Sequence, residues 1–243
     1  MPKALVEWTV QPHGAIEKLS PRVWRVEGSL PNMPLKRVMT VARTERGELV
    51  VHSAMALEPA AMAEIEAFGE VRFILVPNGF HRLDAPAFAA RYPNAKVLCP
   101  PGSKARVAQV VRVDGVYADF PADAAVSLHV LDGVGGQEGY VRIDEESGVT
   151  LILNDLVFNM PHLPGAQGFM LRYVTASSGG PTISRIGRLF LVKDKARVRA
   201  QIEALAATER LTRVIVSHHE TIVGTKERSA GEVLRDVART ALG

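Results

Sequence analysis

One cysteine, Cys99, stands in a chain of 243 residues, so no disulfide can form within it, and zinc sites built on two or more cysteine ligands are excluded. No apolar run reaches the roughly 18 residues of a membrane-spanning helix. The opening stretch, MPKALVEWTVQPHGAIEKLS, contains no apolar core of signal-peptide length. A cytoplasmic protein with no membrane partner is therefore expected. Neither sign of charge is in large excess: 29 Lys and Arg stand against 26 Asp and Glu, a net charge of +3. The densest basic run, Lys193, Lys195, Arg197 and Arg199, alternates with apolar positions as a solvated helix face does, so no nucleic-acid partner is expected. Nucleotide-binding loops are also missing. Gly133, Gly135 and Gly136 in DGVGGQEG are followed by no helix and complete no Gly-x-Gly-x-x-Gly, and SSGGP at 177–181 lacks the lysine and hydroxyl of a phosphate loop. No repeat of solenoid period occurs.

What is present describes an ordinary globular core, with 47% hydrophobic and 23% charged residues. We expect one domain over residues 1–243. Val23–Glu27, Arg37–Thr44 and Glu48–His52 are valine-rich runs separated by Gly28–Pro34 and Glu45–Gly47, and read as an antiparallel meander. Glu58–Phe68 switches to helical period through Met62, Ile65 and Phe68, with Pro59 near its start and Gly69 at its end. Val71–Val76 then reads as a buried strand, Ala85–Tyr92 as a helix stopped by Pro93, and Lys96–Cys99 as a further strand, which implies a parallel pair joined by a crossover. A helix is expected over Ser103–Val110, leading into a strand over Val111–Tyr117. Strands follow at Val126–Leu131, Gly139–Asp144 and Thr150–Asn154, with a hairpin turn at Glu145–Gly148. Met160–Pro181 is too long for an ordinary connection and too apolar for a free linker, so it is expected to be functional or partly helical. Lys195–Ala207 is an amphipathic helix through Val198, Ile202 and Leu205, Arg213–Val216 a last strand, and Gly231–Leu242 a closing helix. Strands in two groups, each followed by helices, suit an α/β (α+β) protein built as a four-layer αββα sandwich. The antiparallel meander and late hairpin count against a doubly wound open sheet.

Three polar residues stand at the exits of apolar strands: His81 after FILV, Asp155 after TLILN, and His218 after RVIVS. Strand ends on one edge of a sheet protein converge, and two imidazoles with a carboxylate make a ligand set for zinc or iron. Each residue also has a plainer reading. His81 can cap the following helix, Asp155 can be a helix N-cap, and His218 with His219 can be exposed loop residues. Glu138, at the start of a strand, reads as a surface residue or as one that orients a ligand. His129 reads as a packing or hydrogen-bonding residue, and Cys99 as a small buried apolar one. His52 and Ser53 lie at the exit of an early strand and are candidates to line the same cleft, and His162 in the long loop is a candidate substrate contact.

The stretches VWRVEGSLPNMPLKRVMTVARTERGELVVHSA, VPNGFHR, AFAARYPNAKVLCPPG, SGVTLILNDLVFNM and RVIVSHHETI, in that order and spacing, resemble the metallo-β-lactamase fold superfamily, specifically a branch whose function is undefined. The resemblance spans nearly the whole chain and implies the two-sheet, four-layer fold. In the superfamily a first strand exit carries His-x-His-x-Asp-His, a later hairpin gives another histidine, a strand ends in a bridging aspartate, and a late strand ends in a final histidine. With His81 matched to the last histidine of that motif, the other positions fall on Val76, Asn78 and Phe80, none a usual zinc ligand. LDGVGGQEGY has no histidine where the hairpin one would lie. Asp155 and His218 match the bridging aspartate and the final histidine. The resemblance thus implies a hydrolase of small esters, thioesters, amides or lactones with at most one zinc or iron ion, held by His81, Asp155 and His218. The alternative is a protein that keeps the scaffold without metal or catalysis and serves as a binding or regulatory module.

Overall fold

The computed structural model describes residues 4–243. The chain forms two compact units, one ending at His129 and the other beginning at Val130.

In the first unit β1 (Glu17–Lys18), β2 (Val23–Leu30), β3 (Met33–Arg43), β4 (Glu48–His52), β5 (Glu70–Leu75), β6 (Lys96–Cys99) and β7 (Gly115–Val116) lie side by side in chain order. Neighbours are antiparallel from β1 to β4 and parallel from β4 to β7. The change of direction follows from the connections: α1 (Pro59–Phe68) joins β4 to β5 and α2 (Ala85–Arg91) joins β5 to β6, and parallel neighbours require such crossovers. The meander is tighter than its composition suggests. The chain stays extended through Gly28 and turns only at Pro31-Asn32, where Asn32 adopts φ +58, a left-handed conformation that asparagine tolerates.

Two other expectations are corrected in this unit. The helix expected over Ser103–Val110 is only α3 (Lys104–Val107) behind a 3₁₀ turn at Pro101–Ser103, and the strand expected over Val111–Tyr117 is only β7. Aspartates take over the backbone here: Asp114 Oδ2 accepts from Val97 N (2.8 Å) and Asp119 Oδ2 from Val116 N (2.7 Å). Such local side-chain bonds compete with a regular ladder. The core packs Met62 and Ile65 of α1 and Phe88 of α2 against Met39, Val41, Leu49, Val51 and Ile74. Within this unit Arg37 and Asp84 form a buried ion pair, and Asp84 Oδ1 also accepts from Ala56 N (3.2 Å). Among the described residues Arg37 Nε and Nη2 have no hydrogen-bond partner.

The strand β8 (Val126–Val130) carries the chain across the boundary. In the second unit β9 (Gly139–Glu145) and β10 (Gly148–Ile152) form the expected hairpin, with Gly148 at φ +133, where an added Cβ would lie 2.4 Å from Thr212 Cγ2. A short ribbon of β11 (Phe158–Met160) and β12 (Gly180–Thr182) follows. The stretch between them is partly helical, as its apolar content suggests: α4 (Gly165–Phe169) continues into a wider helical turn at Met170–Val174. A second such turn, Gly187–Leu191, follows β12.

α5 (Lys195–Ala206) starts where Asp194 Oδ1 accepts from Arg197 N (3.0 Å). It returns the chain to β13 (Leu211–Ile215), parallel to β10, and β14 (Ile222–Val223) pairs with the outer side of β13. α6 (Ala230–Leu242) opens with a reciprocal Ser229–Glu232 capping box. Val198, Ile202 and Leu205 of α5 and Leu234, Val237 and Ala238 of α6 bury against Val149, Leu151 and Val214 of the sheet. The basic residues of α5 face outward, as their alternation predicts. Among the described residues no helix is long and apolar enough to cross a membrane.

Candidate functional site

In the first unit the candidate residue His81 lies in the loop between β5 and α2, beyond the carboxyl end of a parallel strand, which is where open α/β sheets place ligands. The loop is locked from several sides. Buried Asn78 turns its Oδ1 onto the backbone N–H groups of Phe80 (2.7 Å) and His81 (2.9 Å), an Asx-type turn. Gly79 presses against Arg106, where a Cβ would come within 2.6 Å of Cδ. The Arg106 guanidinium covers the Phe80 ring, and Arg82 donates to Arg106 O and to Gln109 Oε1 (2.9 Å). His81 does not cap α2, whose N-cap position is Asp84.

The His81 ring is fixed by Ser53, whose Oγ lies 3.0 Å from Nδ1. Ser53 follows β4, sits at φ +55 and donates its N–H to Leu75 O (3.1 Å), so β4 and β5 jointly set the place of this imidazole. Ser53, expected to line the cleft of the candidate residues, is in contact with one of them, His81. His52, its neighbour, is buried in the same segment.

In the second unit Asp155 and His218 meet: His218 Nε2 lies 3.1 Å from Asp155 Oδ1, with their side chains 8% and 22% exposed respectively. They leave the carboxyl ends of β10 and β13, which are parallel neighbours, so the sheet itself brings the two exits together. Asp155 is three residues beyond β10 rather than at its end, and no helix follows it, so it is not an N-cap. His218 and His219 are buried, not loop residues facing solvent. Phe158 lies flat against the His218 ring, with centroids 5.1 Å apart and planes 2° from parallel, which fixes the imidazole plane. His219 takes φ +60, and Glu220 N donates to Asn159 O (2.9 Å), tying the segment after β13 to β11.

Behind this pair is a buried polar network that sequence reasoning missed. Glu138 has no exposed surface; Oε1 accepts from Asn154 Nδ2 (3.1 Å) and from Asp155 N (3.1 Å), and Oε2 from Leu156 N (3.0 Å). Ser217 in turn donates its hydroxyl to Asn154 Oδ1. The chain Glu138–Asn154–Ser217 therefore links the residue before Asp155 to the residue before His218, setting their separation from behind. The reading of Glu138 as a surface residue is corrected. Its signal was available in part: a glutamate between two apolar strands with glycines on both sides has no helix face to lie on.

His129 is exposed and bonded to Ser127 Oγ (2.9 Å), and His162 is exposed beside Ser178 Oγ (3.1 Å). Cys99 is buried, as expected, and burial pushes its thiol pKa up to about 11.

No family model matches the chain, and no curated protein matches it. Solved structures do. A metallo-β-lactamase from Pontibacter korlensis superposes with a TM-score of 0.57 at 11% identity, covering 93% of this chain and 98% of its own. The metallo-β-lactamase of Erythrobacter litoralis, with β-mercaptoethanol in its active site, gives 0.58 at 14% identity, over 92% and 95%. The metallo-β-lactamase FIM-1 from Pseudomonas aeruginosa, in its mono-zinc form, gives 0.58 at 11% identity, over 96% and 97%. At such identities the likeness is one of architecture, and it agrees with the order of strands and helices and with the resemblance carried by the sequence stretches: this chain has the metallo-β-lactamase fold.

Proposed function

We propose that the chain is a metallo-β-lactamase-like hydrolase, one domain over residues 1–243, with at most one metal ion, held by His81, Asp155 and His218. The observation that carries this reading is the Asp155–His218 pair, two metal-type side chains in contact at the exits of neighbouring parallel strands. Together with His81 they offer two imidazole nitrogens and a carboxylate oxygen, a donor set that zinc or iron accepts. A solved structure of the same fold, FIM-1, is a mono-zinc form, which supports a reading with a single ion. When bound, such an ion would supply Lewis acidity toward a carbonyl oxygen, which suits a small ester, thioester, amide or lactone, taken from the cytoplasm; the scattered basic residues argue against a nucleic acid.

The chain's own residues orient this donor set. Ser53 holds the His81 ring through Nδ1, Phe158 holds the plane of His218, and Glu138 holds the Asp155 amide and the amide that follows it. Loss of a supporting contact of this kind typically weakens metal affinity about 10–100-fold.

A second reading, a non-catalytic binding or regulatory module on the same scaffold, is favoured by one observation. Asn78, matched to a ligand position of the superfamily motif, spends its side chain on two backbone N–H groups. Metal content separates the two readings. Protein purified without a nickel column, analysed by mass spectrometry, should carry close to one zinc or iron per chain. His81→Ala, Asp155→Ala and His218→Ala should each lose it. Because imidazole must be neutral to coordinate, retention should fall as pH drops toward about 5. A metal-free protein whose variants fold unchanged, and which hydrolyses none of a panel of model esters, thioesters and lactones, would establish the second reading.

A further inference from the structure

The segment between β11 and α5 presents apolar side chains to solvent that no core accounts for. Phe169, Met170, Tyr173 and Val174 are each at least 52% exposed, and so are Ile186, Leu189 and Phe190. All but Ile186, which immediately precedes the second, sit on two helical stretches, Gly165–Val174 and Gly187–Leu191, tied to each other by Arg185. Its N–H donates to Thr175 O (2.7 Å) and its Nη1 to Tyr173 O (2.8 Å). Each of these apolar side chains keeps more than half of its surface in water, and such a concentration of large apolar side chains in one segment marks an interaction surface rather than scattered surface residues.

Charge identifies the occupant. From Leu156 to Lys193 the sequence contains no aspartate or glutamate, while Arg172, Arg185, Arg188 and Lys193 all fall within it. An isologous contact with a second copy would bring these cations to face themselves across a two-fold axis, with no acid in the segment to answer them. A bilayer carrying anionic headgroups answers both features, since it takes aromatic and aliphatic side chains at the acyl boundary and arginines at the phosphates. We propose that Gly165–Leu191 is a docking face for an anionic lipid surface, on which the protein lies without spanning. The expectation of no membrane partner rested on the lack of a spanning segment. Lying on a membrane requires none.

This inference is independent of the metal site. Its test is co-sedimentation of the full chain with vesicles of phosphatidylcholine alone, and of phosphatidylcholine mixed with phosphatidylglycerol. Binding to the mixed vesicles only, weakened by salt, is expected. Phe190→Ser should lower partitioning about tenfold and Arg172→Gln about fivefold, both with an unchanged circular dichroism spectrum because both side chains are exposed. Failure to sediment with mixed vesicles, or sedimentation indifferent to both variants, would overturn the proposal. So would a concentration-dependent dimer, seen by light scattering without lipid and abolished by Phe190→Ser, because the face would then belong to a second copy.

Discussion

Replacing Glu138 by glutamine tests whether the buried carboxylate sets the backbone at Asp155. The wild-type side chain accepts three N–H donors, from Asn154 Nδ2, Asp155 N and Leu156 N, with no exposed surface. Glutamine has the same shape but one acceptor oxygen, so it can keep the two donors at one oxygen and must turn an NH₂ group toward the third. A buried donor left unpaired costs about 1–3 kcal/mol, offset in part because the neutral amide is cheaper to bury than a carboxylate. We expect a net loss of about 2 kcal/mol for Glu138→Gln and about 4 kcal/mol for Glu138→Ala, which orphans all three donors. Urea denaturation followed by circular dichroism measures the loss. Amide hydrogen exchange locates it, because Asp155 and Leu156 should lose protection while amides of α1 in the first unit keep theirs. In the metal reading the glutamine variant should also bind its ion about 10–100-fold more weakly. A glutamine variant within about 0.5 kcal/mol of wild type, with the Asp155 and Leu156 amides still protected, would refute the assignment.

Other outcomes follow from the same kind of accounting. Asp84→Ala leaves the buried Arg37 guanidinium uncompensated and should cost about 3–5 kcal/mol, whereas replacing both partners by leucine and methionine should restore most of it; a mild single variant would mean that water reaches the pair. The Asp144 carboxyl is held below its ordinary value of 3.8, chiefly by hydrogen bonds from Arg142, and also by that residue's charge and the Arg210 charge. A lowered carboxyl pKa stabilises the fold above the ordinary value and loses that contribution as pH falls through the lowered one. Arg142→Gln should therefore flatten the decline of the urea midpoint below about pH 4. Burial keeps Cys99 protonated, with its pKa pushed up to about 11, so iodoacetamide should label it at neutral pH only after unfolding. Rapid labelling of the folded protein would place that thiol at the surface.

The periodic elements were legible in the sequence because their signals are local. Met62 and Ile65 mark one face of α1, Val198, Ile202 and Leu205 one face of α5, and the structure buries all of them. The alternation of strand, helix and strand around β5 and β6 likewise announced a parallel pair. What failed to read correctly depended on partners far away in the chain. Gly28 looked like a break, yet it lies inside β2, paired with Arg37 and pressed against Met55, where a side chain would not fit. Val111–Tyr117 has strand composition, but two aspartates claim its neighbourhood. Asp155 and His218 were identifiable by their positions after apolar runs, and their contact follows from β10 and β13 being parallel neighbours. Asn154 and Ser217 were not legible, and Glu138 only in part, because a polar side chain on its own does not reveal whether its partner will be water or a buried amide.

Asn78 couples two properties of this loop that a substitution cannot separate. The same short carboxamide that occupies the buried space after β5 is the clasp of the turn that presents His81. A histidine at 78 would add a ring nitrogen and surrender the oxygen that grips two amides at once. Any change of chemistry at this position therefore reaches the placement of His81 as well, and a new side chain there would have to come with a rebuilt loop.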